Sequence, residues 1–384
     1  MKNPPANPVL DAIQTNLMAA LEEKKRALRA AGKRLFDFGL GDPREPTAPF
    51  VREALRAAVP AVSQYPSPSG TPALRRACTD YLERRFGVRL DPEAQVVPAT
   101  GAKETIFHLL FAFAGGDRSR TKVVLPDPGY PTYEAGARFA GLEPVKVPLT
   151  PARGFLLEPD QIGEDALSRT LVFWLSYPHN PTGAVAPRAY LERVGQAALR
   201  HGFIVASDEC YADVYFGVPP LSMLQVQIEN VVAIHSCSKR SGMTGYRTGF
   251  AAGDRDLIAL LRRARTHPGV ASPDFVSAAA VAAWSDDAHA EERRRIFRKK
   301  RDRFLAFFAE HGLSCDGSEA TLYLWVRVPS GHTSASYALA LLEAGIVVAP
   351  GTAFGAGEGY VRVALVPTLS ECEEAIAAWT GVTT

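Results

Sequence analysis

The chain has 384 residues, 47% hydrophobic and 22% charged, the balance of a folded globular protein with room for two domains or one large domain with an appendage. Its 43 basic and 41 acidic residues leave a formal charge of +2, so no bulk field favours nucleic acid, and a small anion must be held by local groups. No apolar stretch is long enough to span a bilayer, MKNPPANPVL breaks with prolines where a signal peptide needs an apolar run, and the 5 cysteines lack paired spacing; a cytoplasmic protein with free thiols and no metal site is expected.

A helix is predicted over 11–31, with Leu17, Leu21 and Leu28 on one face and Gly32 as its stop. Strand-like LFDFGL follows, then a turn at Gly41-Asp42-Pro43. Beyond Pro49, helices are predicted over 71–86, 101–113, 132–140, 187–200 and 254–265. They alternate with short apolar strands over 122–125, 171–175, 203–207, 231–234 and 248–252. Alternation of this kind predicts an α/β fold with a mostly parallel sheet, helices on both faces and ligands at the carboxyl ends of the strands. After a helical stretch over 275–311, LYLWVRV, IVVAP and YVRVALV read as strands of a second, smaller α+β unit. The basic run EERRRIFRKKRDR carries acidic residues at helical spacing and reads as a solvated helix face rather than a nucleic-acid contact.

The segment richest in chemistry is SCSKRSGMTGYRTGF, which places Lys239 just after Ser236 and Ser238 and eight residues before Arg247. A lysine at a strand's exit, beside hydroxyls and an arginine, suits an imine to an aldehyde whose phosphate is anchored nearby, which describes pyridoxal phosphate. Asp208 ends a strand in IVASDECYADVYF; it is either a partner that keeps the pyridine nitrogen protonated or a turn cap. Tyr211 and Asn180 (in SYPHNPTG) can donate to the cofactor's phenolic oxygen, although Asn-Pro-Thr-Gly is also good loop sequence.

ATGAKETI opens a helix at Gly101, aiming the backbone N–H groups of Ala102 and Lys103 at an anion, with Ser236 and Arg247 completing a phosphate cup. Tyr130 in PDPGYPTY can stack on the ring or simply pack. Tyr65, in the loop QYPSPSG, reads first as a surface tyrosine. Arg362, flanked by valines in YVRVALV, needs an anion: a substrate α-carboxylate or a structural ion-pair partner. Lys103 can hold a second substrate carboxylate or a helix-start salt bridge, while His108, His179 and His235 are assigned no catalytic role.

In this order, PDPGYPTY, YPHNPTG, SDECYADVYF, SCSKRSGMTGYRTGF and YVRVALV resemble the class I/II aminotransferases of pyridoxal-phosphate fold type I, over nearly the whole chain. The resemblance implies a large domain with a mostly parallel seven-stranded sheet flanked by helices, plus a small α+β domain. The expected boundaries are 1–48 (N-terminal arm and part of the small domain), 49–280 (cofactor domain) and 281–384 (small domain). It implies Lys239 as imine lysine and proton shuttle, Asp208 for the ring nitrogen, Asn180 and Tyr211 for the phenolic oxygen, and Tyr130 stacked on the ring. Ser236 and Arg247 would bind the phosphate, Arg362 would take the α-carboxylate and Gly41 would border the substrate; beside them, from the residues themselves, Gly101, Ala102, Lys103 and Ser238 are assigned to the phosphate end and Lys103 and Asn180 to the substrate. The resemblance further implies a homodimer with shared active sites, in which Tyr65 reaches the neighbour's phosphate.

SKRSGMTGYR, TLYLWVRVP and APGTAFGAGEGYVRVALVP look most like succinyldiaminopimelate aminotransferases of bacterial lysine biosynthesis, with glutamate as amino donor. An aspartate-, alanine- or aromatic-type aminotransferase of other specificity, or a pyridoxal-phosphate carbon–sulfur lyase on the same scaffold, would keep every motif. Aminotransferase-like transcription regulators would need a basic helix-turn-helix arm ahead of residue 11, which is not expected here. A dinucleotide oxidoreductase would need a G-x-G-x-x-G turn after the first strand, and none is present.

Overall fold

The computed structural model describes residues 6–12 and 16–383. Its first elements are α1 (Val9–Ala12) and α2 (Asn16–Ala30), where the sequence predicts one helix. The side chains of Leu17 and Leu21 lie outside the described residues, while Leu28 packs with Leu35 against Leu342 and Val347. Of LFDFGL only β1 (Phe36–Asp37) is strand. Then come α3 (Pro49–Ala57), α4 (Pro72–Phe86), β2 (Val96–Ala99), α5 (Ala102–Phe113), β3 (Lys122–Asp127), α6 (Thr132–Phe139), β4 (Glu143–Pro148), α7 (Glu164–Ser168) and β5 (Thr170–Ser176). They are followed by α8 (Arg188–His201), β6 (Ile204–Asp208), β7 (Val231–Ser236), α9 (Cys237–Arg240), β8 (Gly249–Gly253), α10 (Arg255–Arg265) and α11 (Asp274–Ser285). The rest comprises α12 (Ala288–Glu310), β9 (Tyr323–Arg327), α13 (Ser334–Glu343), β10 (Ile346–Val347), β11 (Ala349–Pro350), β12 (Tyr360–Ala364) and α14 (Leu369–Thr383). The sequence pattern predicts neither α3, β2 nor β4.

Strands β2 to β8 form one seven-stranded sheet in the order β2-β8-β7-β6-β5-β3-β4, parallel except for β8, which runs antiparallel to β2 and β7. β5, β6 and β7 are buried along their whole length, as strands covered by helices on both faces must be. Alternate residues serve opposite faces. Val172 and Trp174 pack with Ile106, Leu109 and Leu261 from α5 and α10, whereas Phe173 packs with Phe203, Tyr190 and Tyr81 from the α8 and α4 side. The register sets Ser176 beside Asp208, Ser236 beside Gly249, and Gly249 beside Ala99. The carboxyl ends of β2, β5, β6 and β7 and the start of β8 therefore open onto one sheet edge.

A second core forms around Phe304, Phe307, Phe308, Leu324, Val326, Val363 and Trp379. It covers the antiparallel sheet β11-β12-β9 and the parallel pair β1-β10. IVVAP, predicted as one strand, breaks at Val348 so that its halves pair in different sheets. The helical stretch over 275–311 likewise breaks at Asp286-Asp287. A domain boundary after residue 280 would cut α11, which packs on α3 and α4, whereas α12 packs on α14. We propose that the boundary falls at Asp286-Asp287. No helix among the described residues is long and apolar enough to cross a membrane, and all five cysteines are free.

The loops after β6 and β7 are tied together by a buried charge cluster. Asp213 accepts from the Tyr81 hydroxyl at 2.9 Å and Arg85 Nε at 3.0 Å, and it pairs with Arg240 Nε at 2.8 Å. Arg240, next to Lys239, is only 3% exposed. Burial pushes the Asp213 carboxyl up, but the Arg240 and Arg85 guanidiniums outweigh it and hold the group below its ordinary 3.8. A depressed carboxyl contributes stability above its unfolded value and loses it as pH falls through the folded one. Asp213→Asn is therefore expected to lower unfolding stability in urea by about 3–5 kcal/mol at neutral pH, with the gap to wild type closing only below 3.8. A gap that already closes between neutrality and that value would contradict this assignment.

Candidate active site

The shared sheet edge opens into a cavity of about 740 Å³. Of the predicted site residues, Gly41, Ala102, Lys103, Tyr130, Asn180, Asp208, Tyr211, Ser236, Ser238, Lys239, Arg247 and Arg362 all line it. Gly101 stands just behind, as the cap of α5. Tyr65 is not brought in: it is fully exposed, at 103%, away from this chain's own cavity lining.

Each residue's place follows from local structure. Lys239 lies in the one-turn helix α9, entered from β7 through Ser236, whose hydroxyl accepts from the Ser238 N–H at 3.1 Å. Its ammonium donates to the Gly41 carbonyl. Asp208 ends β6 with its carboxylate 6% exposed, accepting from the Tyr133 hydroxyl at 2.7 Å and the Cys210 N–H at 3.2 Å. Burial pushes its carboxyl up, against those hydrogen bonds, and among the described residues it has no ion-pair partner. Arg362 is 6% exposed on β12, donating to Asn180 Oδ1 and the Gly39 carbonyl at 2.9 Å each. Its guanidinium lies between the Tyr323 and Phe354 rings, 4.1 and 4.3 Å from their centroids, and its Nε has no hydrogen-bond partner among the described residues.

The anion end is built from two backbone features. Gly101, at φ 83°, turns the chain into α5; a Cβ there would meet Arg247 Nη2 at 2.5 Å. Arg247 itself holds a left-handed conformation, φ 55° and ψ 60°, uncommon for a residue with a side chain. Its guanidinium donates to the Thr244 carbonyl at 2.9 Å.

Sequence reasoning missed Tyr323, Phe354, Tyr133 and Cys210. Tyr323 shares a hydrogen bond of 2.8 Å with the Tyr211 hydroxyl, and burial pushes the Tyr211 phenol well up. A signal was present for two of them. Tyr133 lies one helical turn beyond Tyr130, and Tyr323 alternates with Trp325, which faces Arg362 across the ladder. Phe354 sits in a glycine-rich turn with no periodicity. His179 is fully buried, bonded to the Thr182 hydroxyl at 2.8 Å and held neutral by burial at about 3, in keeping with a packing role.

These residues fit a phosphorylated pyridine aldehyde. Among the described residues the buried Asp208 carboxylate has no ion-pair partner and the buried Arg362 Nε–H has no acceptor, and Gly101 leaves open the space where an anion would approach α5 and Arg247. The family model "Aminotransferase class I and II" matches residues 33–378. The chain belongs to that family. It is a pyridoxal-phosphate-dependent aminotransferase.

This aminotransferase is 35% identical to an LL-diaminopimelate aminotransferase of Dehalococcoides mccartyi over 370 residues, 94% of each chain. Among solved structures, a Thermus thermophilus aspartate aminotransferase mutant superposes with a TM-score of 0.92 at 27% identity, covering 99% of this chain and 100% of that one. A probable N-succinyldiaminopimelate aminotransferase, also from Thermus thermophilus, gives 0.89 at 30% identity, covering 96% and 100%. Gly101→Ala in the aminotransferase is expected to weaken pyridoxal phosphate binding about tenfold or more, since the new methyl meets Arg247 and the φ disfavours it. Equilibrium titration of cofactor-free protein checks this; unchanged affinity would contradict the anion-end geometry.

Proposed function

We propose that the enzyme moves an amino group between glutamate and the oxo counterpart of a diaminopimelate, in lysine biosynthesis. The observation that carries this reading is a second cation in the cavity. Lys103 is exposed and has no hydrogen-bond or ion-pair partner among the described residues, yet it lines the same space as the buried Arg362. A substrate with two carboxylates uses both. Asp42, likewise unpaired among the described residues, lines the cavity too and suits a free distal ammonium, as in LL-diaminopimelate. The N-succinylated substrate is the second reading, favoured by the likeness to the probable N-succinyldiaminopimelate aminotransferase of Thermus thermophilus.

Within that reading each residue has a task. Bound here, pyridoxal phosphate supplies an electrophilic aldehyde and a ring that accepts the electron pair left by the departing α-proton. Lys239 would hold the aldehyde carbon through its ε-amine and, when that amine is free, would carry the substrate's α-proton. Asp208 keeps the ring nitrogen protonated. Asn180 and Tyr211 donate to the phenolic oxygen, with Tyr323 holding Tyr211 in place. Tyr130 covers the ring face, and Gly41 borders the substrate.

Gly101, Ala102 and Lys103 offer backbone N–H groups to the phosphate, joined by Ser236, Ser238 and Arg247. Arg362 binds the α-carboxylate as a two-pronged donor, oriented by Asn180 and the flanking rings. A homodimer in the cytoplasm completes the proposal. Tyr65 then reaches the partner chain's anion site, and the apolar Val59 and Val62 beside it, 56% and 71% exposed, become covered.

A panel of glutamate, LL-diaminopimelate, N-succinyl-LL-diaminopimelate and alanine tests the substrate assignment. The highest kcat/KM is expected for a diaminopimelate. Lys103→Ala is expected to slow the half-reaction about tenfold or more with the dicarboxylic donors while leaving alanine within about twofold. An equal loss for alanine would remove Lys103 from distal recognition.

A further inference from the structure

Behind the anion end lies an ion pair neither of whose residues lines the cavity. Glu104, on the first turn of α5, pairs with Arg265 Nη1 at 2.5 Å; the two side chains are 11% and 1% exposed. The same carboxylate accepts from the Thr100 N–H and hydroxyl, both at 3.3 Å, and lies 3.0 Å from His108 Nδ1. Thr100 immediately precedes Gly101, so Glu104 grips the turn whose N–H groups face the anion. From Arg265 the chain runs on to Val270, whose carbonyl accepts from Arg265 Nη2 at 3.3 Å, and to Ser272. The Ser272 hydroxyl reaches the carbonyls of Arg247 at 3.3 Å and Ala99 at 3.4 Å. The two halves of the anion end, the α5 turn and the left-handed Arg247, are thus stitched together from behind.

We propose that Glu104 and Arg265 are positioning residues for the anion site, acting by geometry and not by charge. The proposal rests on the assignment of that site to the cofactor's phosphate. The sign of one effect separates the two modes of action. A carboxylate one turn inside α5 repels an anion at the helix N-terminus, so if only through-space charge mattered, its removal would tighten anion binding. If Glu104 instead holds the Thr100-Gly101 turn, its removal loosens the N–H groups and binding weakens, even though a negative charge has gone. Arg265, left buried without its partner, adds to that disorder.

The test uses the full-length chain, freed of cofactor by incubation with an amino donor and dialysis, with inorganic phosphate and pyridoxal phosphate as probes. Dissociation constants come from calorimetry and fluorescence titration, beside a thermal melt of each variant. Glu104→Gln and Arg265→Gln are each expected to weaken both ligands about tenfold, and the double variant to weaken them no further, as two members of one strut should. Tighter phosphate binding by Glu104→Gln would overturn the proposal in favour of charge. A lowered melting temperature with unchanged affinities would overturn it in favour of a plain stabilising role. Should Glu104→Gln not fold, Thr100→Val gives the same reading through a single lost hydroxyl: weaker phosphate supports the strut and unchanged phosphate overturns it. Arg247→Met serves as the control for the site itself. If it leaves phosphate affinity untouched, the site assignment fails, and the proposal with it; if it weakens phosphate while Glu104→Gln does not, only the strut fails.

Discussion

A carboxylate buried at the end of a parallel strand, with no cation among the described residues to pair with it, is the constraint around which this molecule is arranged. Asp208 is raised by burial and held by two neutral donors, the Tyr133 hydroxyl and the Cys210 N–H. Burying a charge without an opposite charge is costly, and the group answers by favouring its neutral form. In the proposed function a protonated pyridine nitrogen would be the cation this carboxylate lacks, and the low-dielectric surroundings would strengthen that pair.

The other functional groups are held relative to that carboxylate by the sheet and by charge clusters behind it. Parallel register brings Asp208 and Ser236 to one edge, and the antiparallel β8 returns Arg247 to the same place. Asp213 and Arg240, each within two residues of an active-site side chain, lock the loops of Tyr211 and Lys239 to each other and to α4. Arg240 also reaches Asp287 and the carbonyl of Asp286, where α11 gives way to α12. The lysine loop is therefore fastened to the junction between the two cores. Arg362 arrives from the second core, fixed by Asn180 of the first.

Much of this was legible in the sequence because the informative residues break local patterns. A lysine, an aspartate and an arginine, each at or within an apolar strand, have few places to go other than a ligand site, and all three line the cavity. The order of apolar strands and amphipathic helices likewise predicted the sheet. What escaped notice lacked such contrast. β4, EPVKVP, is an edge strand with most of its residues partly or fully exposed, so its composition reads as loop. β2 carries Pro98, which disguises a strand. Phe354 flanks Arg362 from a glycine-rich turn with no periodicity to mark it, and Tyr323 flanks it from the neighbouring strand β9. The Glu104–Arg265 pair spans 161 residues, a separation that no sequence window reveals.

The account depends most on the covalent role of one amine. Borohydride reduction of the holoenzyme, followed by peptide mass mapping, tests it directly. A single cofactor-sized adduct on Lys239 is the predicted result; an adduct on Lys103 instead, or none at all, would contradict the account.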